Sequence, residues 1–186
     1  MALKPVVSGY NPTDSNNDSA LILQSCGIPV TSENIEKISP WRFSAPLSPS
    51  MAAKKEGKIV SLDDVIAFCK DHEKSKADIL LVEGVGGVCV PLNDEYTVLD
   101  WIEKLNGWKI ILVAGSYLGS ISHTLTAIET LAARNINLYA VIVSESENSL
   151  VDLKETVETL KKFIEKSVAI FTIPRNQLPS LKEVCL

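Results

Sequence analysis

The stretch LLVEGVGGVCVPL, residues 80–92, sets the reading of the whole chain. A short apolar run, Leu80 to Val82, ends on a carboxylate, Glu83, and Gly84, Gly86 and Gly87 follow at once. Such an unbroken run reads as a strand buried on both faces, and a carboxylate at the end of a buried strand requires a cation. Magnesium, held by one or two carboxylates together with phosphate oxygens, meets that requirement. The glycines would let backbone amides approach an anion closely. The same residues also make an ordinary turn. The GxxxxGK[ST] loop that normally accompanies a phosphate and magnesium site occurs nowhere in this sequence.

Outward from this point, similar apolar runs recur at Leu3 to Val7, Asp78 to Val82, Lys109 to Ala114, Leu138 to Val143 and Ser167 to Thr172. Helical patterns lie between them, over Ser61 to Glu73, Ser120 to Arg134 and Leu150 to Glu165. In the first, Leu62, Val65, Ile66 and Cys69 fall at helical spacing, with Asp63 and Asp64 in the dipole-favoured first turn. This alternation predicts an α/β fold of three layers, a mostly parallel sheet with helices on both faces. Ligands of such sheets bind beyond the carboxyl ends of the strands, so the loops after Val7, Val82, Ala114, Val143 and Thr172 are where a site is expected. A strand that opens at residue 3 leaves no room for a preceding strand, phosphate loop and helix. A βα unit of roughly thirty residues is therefore expected to be missing from the start.

The 186 residues carry a net charge of −5 and predict one domain, residues 1–186. No basic stripe is present to neutralise a nucleic-acid backbone, and the partners expected are small molecules. Cys26, Cys69, Cys89 and Cys185 form no CxxC pair and lie away from His72 and His123, which points to free thiols in a reducing cytoplasm. Neither a membrane-spanning run nor a signal-peptide layout is present.

Four strand ends carry candidate chemistry. Lys4 and Ser8 would share one face of a continuous strand, the lysine balancing an anion and the serine hydrogen-bonding it; taken alone, Lys4 reads better as a solvated strand edge. Asp18, opening a helix from Ser19 to Cys26, is either an N-cap or a metal ligand. Glu83 and its glycines are described above. Last, Ala114 to His123 runs into a long helix whose first amides suit a carboxylate or phosphate, although Ser120 or Ser122 also fits a plain cap and His123 a packed first-turn residue.

Taken in order, LKPVVSG, NNDSALIL, PLSPSMAAKKEG, LLVEGVGG, PLNDEYTVLDW, GSYLGSISHTLTAIE and VIVSES resemble dethiobiotin synthetase, from the first residue to about Ser146. The resemblance implies a P-loop NTPase-like fold without its opening βα unit. It also implies an ATP- and Mg2+-dependent conversion of 7,8-diaminopelargonic acid and carbon dioxide to dethiobiotin. By the same resemblance Lys4 would be catalytic, and Asp18 and Glu83 would hold magnesium. Ser8, Gly86, Gly87 and the loop Gly119, Ser120, Ile121 and Ser122 would bind substrate, the loop taking the carboxylate across a homodimer interface. Ile121, Leu125 and Ile128 would face that interface in part. The nucleotide would meet Asp18, Glu83, Gly84, Gly86 and Gly87, with its base near Ser144, where the family commonly has Asn, and near Pro174, Arg175 and Asn176. Without the phosphate loop, tight ATP binding is not expected. Two other readings stand beside this one: a non-catalytic remnant that dimerises and binds small ligands, and a related cobalamin-pathway synthetase domain, which shares the VEGxGG pattern.

Overall fold

The computed structural model describes residues 1–147 and 149–177, and Cys185 lies outside them. The chain forms two compact units, Met1–Leu105 and Asn106–Leu186. In the first, the apolar run at the N-terminus is split into two short strands, β1 (Ala2–Leu3) and β2 (Val6–Ser8). Pro5 causes the break, because it has no N–H to give to a ladder. The strand β1 pairs in parallel with β4 (Leu81–Val82), and β2 pairs in parallel with β3 (Trp41–Phe43). Between the two pairs, the Lys4 amide donates to Ile38 O at 3.1 Å and Pro5 O accepts from the Trp41 amide at 3.0 Å. The break therefore leaves the Lys4 amide and the Pro5 carbonyl paired.

Helices α1 (Asp18–Ser25), α2 (Ser32–Ile38), α3 (Pro49–Lys55), α4 (Leu62–Glu73) and α5 (Val98–Lys104) complete the first unit. Leu3, Leu23, Ile35 and Ile38 form a core cluster, with Phe68, Leu80 and Val82 packed against it. Ser61 caps α4 by accepting from the Asp64 amide, which fixes the start of that helix one residue inside the span expected from its spacing. The cap of α1 is Asn17, whose side chain accepts from the Ala20 amide at 3.0 Å. Asp18 is thus the first helical residue rather than a cap, and its carboxylate is available for other partners.

The second unit is a three-stranded parallel sheet in the order β5 (Ile110–Gly115), β6 (Leu138–Ser144), β7 (Ala169–Ile173). It is crossed by α6 (Ser120–Ala133) and α7 (Leu153–Leu160). Val141, Val143, Val157, Leu160 and Ile164 make its core, and Ile121, Leu125 and Ile128 pack on that cluster. The helix expected from Leu150 to Glu165 is shorter because the Asp152 side chain accepts from the Glu155 amide and starts it there. Burial on both faces holds for the middle strand, where Ala140 to Val143 are buried. It fails for the outer strand β5, whose Val113 is 65% exposed, and for β4, whose Leu81 is 49% exposed. Among the described residues no helix is long and apolar enough to cross a membrane.

Burial also separates the thiols. Cys26 and Cys89 are exposed, whereas Cys69 is buried in α4 and burial pushes its thiol from an ordinary 9.0 up to about 12. Raising an acid's pKa on folding favours the proton-bound native form, so this contribution is intact below about pH 9 and is lost as pH rises toward 12. Thiol titration of the native protein at pH 8 should therefore label Cys26 and Cys89 quickly and leave Cys69 unreacted until denaturant is added, as read by peptide mass mapping.

Candidate active site

In the first unit the break at Lys4–Pro5 shapes the site. The Glu83 amide donates to Leu3 O at 2.8 Å, which brings the strand end carrying Glu83 beside the residue that precedes Lys4. The Lys4 side chain is only 7% exposed, and its Nζ lies 2.6 Å from Glu83 Oε1, 3.1 Å from Asp18 Oδ2 and 3.3 Å from Gly84 O. The solvated-edge reading of Lys4 is therefore incorrect. A buried ammonium persists only where oxygens replace its hydration, and here three do. The two carboxylates are different in kind, since Asp18 is 57% and Glu83 59% exposed. Each keeps lone pairs free on its open side.

Ser8 ends β2, and its hydroxyl is buried with no partner among the described residues. A buried hydroxyl in that state marks a place where a ligand group can complete the bonding. The same-face argument linking Lys4 to Ser8 loses its premise, because the two residues belong to different stretches either side of Pro5.

Beyond Glu83 the chain turns tightly, with the Val90 amide donating to Gly87 O at 3.0 Å. Gly86 has φ of +65°, and a Cβ there would lie 2.7 Å from Val90 Cγ2. The glycine turn is thus a built feature of the strand end. Neither the Gly86 nor the Gly87 amide donates to another described residue. No group of three or more His, Cys, Asp and Glu residues able to hold a metal occurs among the described residues. Asp18 and Glu83 converge on the Lys4 ammonium, and their remaining oxygens are hard donors that fit magnesium if phosphate oxygens and water fill the rest of its shell.

In the second unit the loop after β5 enters α6 through Gly119, which is left-handed with φ of 95°. The Ser120 amide is bonded to Tyr117 O, and the Ser120 hydroxyl is fully buried without a partner among the described residues. Ser122 is exposed in the first turn. His123 is not a packed residue: it is exposed, and a 2.9 Å hydrogen bond joins its Nδ1 to Tyr117 Oη. At the neighbouring strand ends, β6 and β7 run in register to Ser144 and Ile173, which places Ser144 beside the turn of Pro174, Arg175 and Asn176. Arg175 is fixed there, its amide donating to Glu145 Oε2 at 2.7 Å and its guanidinium 3.0 Å from Glu147 Oε2. Sequence spacing missed the brace behind this loop. Ser116 and Ser146 exchange reciprocal bonds, each amide donating to the other's hydroxyl at 3.1 Å, and only the tertiary pairing of two loops reveals them.

A parallel α/β fold with carboxylates and a glycine turn at the strand ends fits the P-loop NTPase class. In agreement, a family model described as an AAA domain matches residues 2–180. Among curated proteins, the ATP-dependent dethiobiotin synthetase of Acidiphilium cryptum is 45% identical over 165 residues, covering 88% of this chain and 74% of that protein. That of Phenylobacterium zucineum is 43% identical over 178 residues, covering 94% and 75%. That of Legionella pneumophila is 31% identical across 100% of this chain and 84% of its own length. The chain belongs to the dethiobiotin synthetase family.

The two glycines of the turn should respond differently to a methyl group. Gly86→Ala meets both the positive φ and Val90, and should destabilise the protein by about 1–3 kcal/mol. Gly87→Ala has nothing within 4 Å of its new Cβ and should stay within about 0.5 kcal/mol of the parent in urea unfolding.

Proposed function

We propose that this chain catalyses the ATP-dependent formation of dethiobiotin in biotin biosynthesis, as one synthetase domain over residues 1–186. The observation that carries the proposal is the buried Lys4 ammonium, held at strand ends between Asp18 and Glu83. Family membership supports the same activity. The extent of the domain is supported by a family match that runs through both compact units.

The chemistry joins three parts. One amine of 7,8-diaminopelargonic acid attacks carbon dioxide, loses a proton and becomes a carbamate. A carbamate oxygen then takes the γ-phosphoryl group of ATP, releasing ADP and leaving a mixed anhydride. The second amine attacks the anhydride carbon, phosphate departs, and the ureido ring is closed. Negative charge accumulates on the carbamate and on the transferring phosphoryl oxygens. Lys4 offsets that charge, and the two flanking carboxylates keep its ammonium aimed. Ser8 offers its unsatisfied hydroxyl to the diamine or carbamate end, and the Gly86 and Gly87 amides face substrate or phosphate. Asp18 and Glu83 would hold magnesium through their open oxygens, and the ion supplies charge compensation to the phosphates when bound.

The substrate carboxylate belongs to the first turn of α6, from Gly119 to Ser122. There the unpartnered Ser120 hydroxyl and the helix N-terminus favour an anion. A second copy of the chain is proposed to cover the exposed face of α6. Leu118 is 91% exposed, and a groove lined by Ile121, Leu125 and Phe163 runs beside it. Ile128 contributes to the unit's own core and not to this groove. The base end of the nucleotide is assigned to Ser144, Pro174, Arg175 and Asn176. A cytoplasmic location suits a chain whose substrates are small metabolites and whose described thiols, Cys26, Cys69 and Cys89, are free.

Two measurements test this reading. Lys4→Ala should lower turnover by about a hundredfold or more, the usual scale for losing one electrostatic stabiliser, and Lys4→Arg should not restore it because the guanidinium is wider. Glu83→Gln should chiefly raise the magnesium concentration needed for half-maximal rate. Steady-state dethiobiotin formation across a magnesium titration, in protein carrying a phosphate-loop βα unit fused before Ala2, reads both, and near-parental turnover by Lys4→Ala would remove Lys4 from the mechanism. Light scattering should return a dimer at micromolar concentration; a monomer would leave the face of α6 without its proposed partner.

A further inference from the structure

We propose that Tyr117 and His123 form a positioning pair that fixes the first turn of α6 for the substrate carboxylate, a role that rests on the carboxylate reading above. The turn needs such a device. Its backbone passes through Gly119 at positive φ, and the neighbouring Leu118 is almost wholly exposed. What holds it is a small closed circuit. The Ser120 amide bonds to Tyr117 O at 2.9 Å and the His123 amide to Gly119 O at 3.1 Å. The bond between Tyr117 Oη and His123 Nδ1 then ties the side chain at the start of the turn to the helix it enters.

The upstream end of this circuit is itself fixed. The Tyr117 ring lies so close to Gly115 that a Cβ there would be 2.8 Å from its Cδ1, and Ser116 is fully buried against Ser146 through their reciprocal bonds. Tyr117 is therefore seated at one end by the strand and clasped at the other by His123. Between these points lie the backbone amides offered to the carboxylate. Amides bind an anion well only when their directions are held within about 10–20°, and a glycine at positive φ is a weak guarantor of direction. The Tyr117–His123 bond supplies the missing restraint.

The test is titration calorimetry of the full chain with 7,8-diaminopelargonic acid and with the analogue whose carboxyl is a carboxamide. The parent should prefer the acid. Tyr117→Phe should weaken acid binding about three- to tenfold, the worth of one net hydrogen bond, and should leave carboxamide binding nearly unchanged, so that discrimination between the two falls. His123→Asn, whose amide stands where Nδ1 stood, should keep the parent's discrimination, whereas His123→Gln, which reaches toward Nε2 instead, should lose it like Tyr117→Phe. A loss of thermal stability alone cannot produce that pattern. If the parent prefers the acid and Tyr117→Phe prefers it equally, the positioning role is overturned and the carboxylate site stands. If the parent binds acid and carboxamide alike, the carboxylate reading fails and the positioning role with it.

Discussion

The first unit depends on a single buried charge. An ammonium taken out of water costs several kcal/mol unless oxygens surround it, and Lys4 is surrounded by Asp18, Glu83 and the carbonyl of Gly84. Counting Lys4 itself, the cluster draws on three separate segments: the stretch just after β1, the start of α1 and the residues that follow β4. Holding them together constrains all three. Glu83 is brought in by the backbone bond from its amide to Leu3 O, and Asp18 is released to serve because Asn17 takes over the capping of α1.

The same arrangement separates two tasks within one cluster. Lys4 is enclosed, so its charge acts through low-dielectric surroundings, where it counts for more than in water. Asp18 and Glu83 face outward, so they remain open to a cation and its phosphate without being fully desolvated themselves. A fully buried pair of carboxylates would be costly before any ligand arrived. Partial exposure avoids that cost and leaves the site ready for charged ligands.

The second unit uses neutral groups instead. Its strand ends are braced by hydroxyls, with Ser116 and Ser146 satisfying each other's amides and Ser149 donating to Ser116 O. Its helix start presents a buried serine hydroxyl and backbone amides, which suit an anion that must be bound but not transformed. The charged residues near the strand ends, Glu145, Glu147 and Arg175, are spent on each other in a local clamp.

What the sequence determined by itself was periodic or local. The apolar runs of β5, β6 and β7 and the spacing of α4 and α6 could be read directly, because each pattern repeats within one element. Glu83 and its glycines stood out as a local feature, a carboxylate and a turn at the end of an apolar run. The short elements α2, α3 and α5 gave too few turns to declare a period, and β3, Trp41-Arg42-Phe43, carries an arginine where an apolar run was sought. The split of the first strand followed from Pro5, yet only the neighbouring strands show which backbone groups it leaves to be paired. The state of Lys4 was the decisive matter left to the tertiary structure. One of its partners is 79 residues away along the chain, and burial is a property of what packs around a side chain rather than of the residue itself.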